Sequence, residues 1–194
     1  MKNTFFLTFC CKVNYYETEC MKSLFSKRGY NIIGEYKSAD IVVINSCTVT
    51  ASGDSRVFTA LKKIRKALPK AVIALTGCYP QAFAEETEKI MEADIIMGTK
   101  YRSRIVDVVE DFICKPQRIV FVSDYKSDDE YECITCTEFK DNTRAFVKIQ
   151  DGCNQFCSYC IIPYARGRCR SKPIDVLREE AEKIASGGVK EIVL

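Results

Sequence analysis

Twelve cysteines and no histidine among 194 residues decide which chemistry this chain can do. Six of the cysteines fall into two patterned sets. Cys11, Cys47 and Cys78 stand 36 and 31 residues apart, each just past a strand-like apolar run and just before a helical pattern. That separation is the size of a βαβ unit, so all three loops should emerge at the carboxyl edge of one parallel sheet, where such folds bind ligands. Three thiolates meeting there suit an iron–sulfur cluster or zinc. Three unrelated buried thiols are the plainer reading, but loop positions beside Asn45, Gly77 and Tyr79 make poor core sites. The second set is Cys153, Cys157 and Cys160, spaced C-x3-C-x2-C after Gly152. Three close thiolates can hold three irons of a four-iron cubane and leave the fourth open. Zinc would need a fourth protein ligand, and Cys169 is the nearest spare thiol. Without histidine there is no Ser-His-Asp or Cys-His catalysis and no imidazole acid–base step, so thiolates and cofactors must carry any reaction.

The elements that must position these residues can be read from periodicity. Strand-like runs cover Thr4–Phe9, Asp40–Asn45, Ala71–Thr76, Asp94–Met97 and Arg118–Val122. Helical patterns lie between them at about 15–28, 54–68, 80–92 and 101–114. Strict alternation implies parallel βαβ units and a doubly wound open sheet. A further strand is expected at Arg144–Gln150, then the cysteine-rich loop, a helix from about Pro173 to Ala185 and a strand at Lys190–Leu194. This second part reads as one βαβ unit, with the chain cut inside a buried-type strand.

Composition adds limits. The hydrophobic fraction of 47% and charged fraction of 28% are ordinary for a globular chain. A net charge of +3 does not by itself mark a nucleic-acid binder. Its distribution is sharper: residues 123–142 hold seven acidic and two basic side chains, residues 143–172 six basic and one acidic. The switch places an acidic linker at 123–142 between a domain over 1–122 and another opening at 143. Phe5–Phe9 is too short for a signal peptide, and no apolar run approaches the roughly 18 residues of a membrane span. A reducing, cytoplasmic setting follows, in which cysteines favour metal or redox roles over disulfides.

The motifs around the two cysteine sets resemble a known family. C-x3-C-x2-C with an aromatic before the third cysteine is the signature of radical S-adenosylmethionine (SAM) enzymes. The string Ile149 to Asn154, continuing through Ile161-Ile162-Pro163-Tyr164-Ala165-Arg166-Gly167, resembles the methylthiotransferase branch. Cys11-Lys12-Val13-Asn14 with Tyr16-Glu17-Thr18-Glu19, Asn45-Ser46-Cys47-Thr48-Val49-Thr50, and Thr76-Gly77-Cys78-Tyr79-Pro80-Gln81 resemble its other three motifs. The opening motif is most similar to the branch that modifies N6-threonylcarbamoyladenosine in tRNA.

The resemblance implies two 4Fe–4S clusters and SAM as cofactors. Cys153, Cys157 and Cys160 would ligate the catalytic cluster, whose open iron takes the amino and carboxylate groups of SAM, with Tyr159 beside the adenine. Cys11, Cys47 and Cys78 would ligate an auxiliary cluster. The implied reaction adds a methylthio group at C2 of adenosine 37, next to the anticodon. A deoxyadenosyl radical would attack that inert C–H, the auxiliary cluster would carry the sulfur, and the protein would supply position. tRNA, an electron donor of flavodoxin or ferredoxin type and a monomeric state are the implied partnerships. Family members continue well beyond the equivalent of Leu194, so the chain is expected to be an N-terminal portion, inactive alone. At position 10 a cysteine replaces the family's glycine, and strand alternation points it away from Cys11.

Other features have plainer readings. Cys133-x2-Cys136 sits in the acidic linker without a partner pair, and Cys20 and Cys114 fall on helices. Cys169 lies among arginines that would lower its pKa. The run holding Arg166, Arg168 and Arg170 abuts the second cysteine loop and is expected to meet tRNA phosphates. Lys62, Lys63, Arg65 and Lys66 are read as the solvated side of their helix. Two alternatives remain: the same enzyme class acting on isopentenyladenosine in tRNA or on a ribosomal protein, and a non-catalytic zinc module that binds nucleic acid.

Overall fold

The computed structural model describes residues 1–9, 11–136 and 143–194, with the side chains of residues 51 and 52 left aside. Cys10 and the end of the acidic linker therefore lie outside the described residues. Six parallel strands form the main sheet: β1 (Asn3–Thr8), β2 (Asn31–Ile33), β3 (Ile41–Ser46), β4 (Val72–Gly77), β5 (Ile95–Met97) and β6 (Ile119–Phe121). Their spatial order is β2-β1-β3-β4-β5-β6. Five of these strands were expected; β2 was not, because three residues carry no readable period.

Helices cover both faces. On one side α1 (Lys12–Lys27) brings Met21 and Phe25 against Phe6, Ile41, Val43 and Ile95. Ile105, Val106 and Val109 of α5 (Ile105–Cys114) pack there too. On the other side Val57, Leu61 and Ile64 of α2 (Ala51–Ala67) meet Val42, Ile44, Ile73 and Leu75. Alternate residues of Ile41–Ile44 thus serve opposite faces, and both are buried, which is why these strands are apolar throughout. The doubly wound sheet is as expected. The helix expected at 80–92 instead breaks into α3 (Cys78–Ala82) and α4 (Ala84–Thr87), because Phe83 leaves helical geometry at φ −132°, ψ 59°.

The second part begins with β7 (Arg144–Phe146), and the expected strand at Arg144–Gln150 divides, β8 (Gln150–Asp151) being separate. A short helix α6 (Ile162–Arg166) follows the cysteine loop, then β9 (Arg170–Ser171), α7 (Ile174–Ser186) and β10 (Glu191–Val193). Strands β7 and β10 pair in parallel around α7, the expected βαβ unit. Strands β8 and β9 pair antiparallel and clamp the loop between them. The two parts share an apolar seam in which Tyr16 and Cys20 of α1 pack with Cys136, Ala145, Val147 and Ile184. Among the described residues no helix is long and apolar enough to cross a membrane.

Candidate iron–sulfur centres

Strands β1, β3 and β4 are adjacent, and their carboxyl ends deliver Cys11, Cys47 and Cys78 to one edge. The strand order reverses between β1 and β3, so the Cys11 and Cys47 loops flank the switch point of the sheet, the usual crevice for a ligand. Cys11 caps the N-terminus of α1, its Sγ accepting the Asn14 N–H at 3.3 Å. Cys47 and Cys78 are buried and Cys11 is half-buried. The Cys11 and Cys47 thiols share a hydrogen bond that, against desolvation, lowers Cys11 to about 6. The same bond, with burial, raises Cys47. Burial raises Cys78, opposed by the charges of Arg166 and Arg102.

Polar neighbours of the cysteines lace the three loops together. Asn14 Nδ2 donates to the carbonyls of Phe9 (3.0 Å) and Ser46 (2.9 Å), and Asn45 Nδ2 donates to the Asn14 carbonyl (3.0 Å). The Ser46 hydroxyl donates to the Thr76 carbonyl at 2.7 Å. Gly77 has φ +108°, and a Cβ there would fall 2.3 Å from the Ser46 carbonyl, so only glycine allows this approach. The loop after β5 carries no cysteine. Its Thr99 is buried, its N–H donating to Gln81 Oε1 at 3.0 Å and its hydroxyl to the Ala165 carbonyl of α6 at 2.6 Å.

The second set is held by backbone. Gly152 has φ +77°, and a Cβ there would meet the Arg168 carbonyl at 2.2 Å. The Cys153 N–H donates to the Gly167 carbonyl at 3.1 Å, and the Cys169 N–H to Asn154 Oδ1 at 3.0 Å. Between these ties the loop turns through Phe156 at φ +47°. Cys157 is exposed, Cys153 and Cys160 are half-buried, and Tyr159 is 91% exposed. No disulfide joins the described cysteines.

The basic run is largely not a surface. Arg166 is only 4% exposed, with its guanidinium on Glu17 (2.8 Å), Asp151 (3.0 Å) and Asn14 (2.8 Å). Its expected contact with RNA phosphates is therefore corrected: the guanidinium is buried and spent on carboxylates, which offset its lost hydration. Arg170 lies over the Tyr125 ring at 4.4 Å, and Lys172 is buried against Glu180 and Tyr16. Arg168 alone of the three expected arginines is exposed, above Phe156 at 5.4 Å.

Arg166 belongs to a buried hub that sequence reading missed. Glu17 also receives Arg102 at 3.0 Å and Lys148 at 2.8 Å, and Lys148 reaches Asp151 at 2.8 Å. Burial pushes the Glu17 and Asp151 carboxyls up, but the surrounding cations win and hold both below their ordinary values. Glu17, Asp151 and Arg166 all stand inside the quoted motifs; nothing in a linear string says that they meet.

The donor chemistry fits iron–sulfur clusters better than zinc. Each set is three thiols, the complement of a cubane with one iron left over.

Comparison with known proteins agrees with this division. Residues 3–98 match the uncharacterized protein family UPF0004, and residues 147–194 match the radical SAM superfamily. A solved radical SAM methyltransferase, TsrM from Kitasatospora setae, superposes with a TM-score of 0.59 at 12% identity, over 99% of this chain and 47% of that one. The chain thus pairs an α/β module with a radical SAM module. The relatives narrow this further. Threonylcarbamoyladenosine tRNA methylthiotransferase MtaB of Bacillus subtilis is 39% identical over 100% of the chain and 43% of its own length. The protein of the same name from Aquifex aeolicus is 33% identical over 97% of the chain and 46% of its length. A tRNA-2-methylthio-N(6)-dimethylallyladenosine synthase from Methylacidiphilum infernorum is 34% identical over 100% and 43%. The chain belongs to the radical SAM methylthiotransferase family, and spans rather less than half the length of these relatives.

Proposed function

We propose that the protein carrying this chain is a cytoplasmic tRNA methylthiotransferase that places a methylthio group at C2 of N6-threonylcarbamoyladenosine 37. The observation that carries the reading is that the element after the second cysteine loop packs on one of the three loops that bear the first cysteine set. Helix α6, which follows the second cysteine loop, packs on α3, which begins with Cys78. Residues 1–122 and 143–194 act as the two modules, with 123–142 between them.

Cys153, Cys157 and Cys160 hold one 4Fe–4S cluster with an open iron for SAM, and Cys11, Cys47 and Cys78 hold the other. When bound, these groups supply radical formation and the transferable sulfur. The chain's own task is placement. The β8–β9 clamp fixes the base of the second loop, Tyr159 stands free to meet the cofactor adenine, and Asn14, Asn45 and Ser46 fix the first loops. tRNA is the substrate partner, a flavodoxin- or ferredoxin-type protein the electron source, and a monomer the working form. Among the expected arginines, exposed Arg168 and partly covered Arg170 remain candidates for phosphate contact.

Two measurements test this. Anaerobically reconstituted protein should hold about eight irons per chain, falling to about four when Cys153, Cys157 and Cys160 are all replaced by alanine. Nucleoside mass spectrometry of tRNA from cells lacking the gene, and complemented with it, should show the methylthio form of N6-threonylcarbamoyladenosine return. Return of the methylthio isopentenyl nucleoside instead would favour the alternative suggested by the dimethylallyladenosine synthase relatives. Stoichiometric zinc without iron would sink both in favour of a zinc module.

A further inference from the structure

The buried hub does not balance its charge. Glu17 and Asp151 supply two negative charges, and Arg102, Lys148 and Arg166 three positive ones, on side chains no more than 10% exposed. Geometry fixes these states: arginine does not deprotonate in proteins, Glu17 lies within 3.0 Å of Arg102, Lys148 and Arg166, and Asp151 lies within 3.0 Å of Lys148 and Arg166. Arg170, with its Nη2 4.0 Å from Asp151, adds cation rather than anion. A further carboxylate, Glu132, is engaged by the backbone N–H groups of Arg102 and Ser103 and by the Ser103 hydroxyl. Among the described residues the cations of this group therefore outnumber its carboxylates, by one without Arg170 and by two with it.

The excess has a place. Arg102 Nη1 donates to the Thr99 carbonyl and pairs with Glu17, but its Nε and Nη2 are buried without a partner among the described residues. A void of about 20 Å³ lined by Arg102, Glu17 and Lys148 has room for one water, which could accept a hydrogen bond but brings no charge. The hub also borders the first cysteine set. Arg166 bonds the Asn14 side chain, whose backbone N–H bonds Cys11 Sγ. Arg166 also ends α6, which packs on α3, the helix that begins with Cys78, and Arg102 is tied to Arg166 through Glu17. Three thiolates on an oxidised four-iron core of charge +2 would carry a net −1, opposite in sign to the excess.

We propose that the Glu17–Arg102–Lys148–Asp151–Arg166 hub is the built-in counter-charge of an anionic iron–sulfur cluster on Cys11, Cys47 and Cys78, with Arg102 a positioning residue that sets its reduction potential. The proposal rests on the cluster assignment above. Reduction adds a second negative charge at that site, so a neighbouring cation eases it and its removal opposes it.

The test uses the whole protein with Cys153, Cys157 and Cys160 replaced by alanine, so that only the first site holds iron. Iron per chain and the midpoint potential are measured, the latter by a redox titration followed by paramagnetic resonance. Arg102→Gln should keep about four irons. It should lower the reduced-to-oxidised ratio at a given potential about tenfold, a shift of about 59 mV to the negative. Arg102→Lys, which keeps the charge, should stay near the parent, and Glu17→Gln should shift to the positive. An unshifted Arg102→Gln with full iron overturns the proposal while leaving the cluster assignment standing. If Arg102→Gln does not load, the sign for Glu17→Gln decides, and loss of iron in Arg102→Lys as well assigns Arg102 to packing and overturns the charge role. A parent without iron at this site overturns the cluster assignment itself, and the counter-charge with it.

Discussion

Glu17 shows what a single residue contributes when three cations converge on it. Its folded pKa and that of Asp151 are depressed, so their stabilisation is complete above their unfolded values, roughly 4.3 and 3.9, and is lost as pH falls through and below that window. Urea midpoints followed from pH 7 to pH 3 should therefore drop steeply at the acid end. Glu17→Gln should flatten that drop. At pH 7 it should cost about 3–5 kcal/mol, because Arg166 and Lys148 would lose a buried partner. An acid limb unchanged by the substitution would show that Glu17 is not what titrates. At this scale the sequence was legible in its cysteines and opaque in its charges. Thiol spacing maps onto strand ends because a βαβ unit has a fixed size. Arg166 looked like part of a basic surface because a charge run carries no sign of burial, and its partner Glu17 is 149 residues away.

Among the elements, the long ones could be read and the short ones could not. Helix α2 begins close to its expected start because Thr50 caps it, accepting the Gly53 N–H at 3.1 Å. Strand β2 and helix α6 are three and five residues long, too short to display a period, and tertiary contacts make them. Helix α6 is held from below by Thr99, whose hydroxyl meets both the Ala165 carbonyl and the Tyr125 hydroxyl, the latter at 2.8 Å. Thr99→Val keeps the shape and removes that hydroxyl. It should cost about 1–3 kcal/mol in urea unfolding. Proteolytic cleavage near residues 161–168 should become faster. Equal cleavage of both forms would mean that α6 is fixed by its packing on α3 instead.

For the whole molecule, the seam matters more than either side. Helix α1 gives Tyr16 to a buried group with Lys172 and Glu180, Glu17 to the hub, and Cys20 to the apolar contact with Cys136. A fragment holding only residues 1–122 would leave Glu17 with Arg102 alone among its three cations and would expose Tyr16. It should therefore unfold at a clearly lower urea concentration than the same sheet in the 194-residue chain. The longer chain should unfold in one transition, whether followed by far-ultraviolet dichroism or by tyrosine fluorescence. Two separated transitions would show that the modules are stable without each other. Two modules were expected from the charge switch near residue 142. Their interlocking was not, because it depends on one helix.

That helix also governs how the chain can vary in length. Cys11 at the cap of α1, Asn14, Glu17 and Cys20 follow at intervals of three, each turned about 60° from the last, so together they wind half-way round the helix. A residue inserted or deleted within this stretch would turn everything after it by about 100°. The thiol, the hub carboxylate and the seam contact would then no longer keep the directions that reach their three partners. Point changes along α1 can fail one at a time, whereas a one-codon insertion or deletion would break all three connections together. Between Cys11 and Cys20, a deletion scan should find no permitted length but the present one.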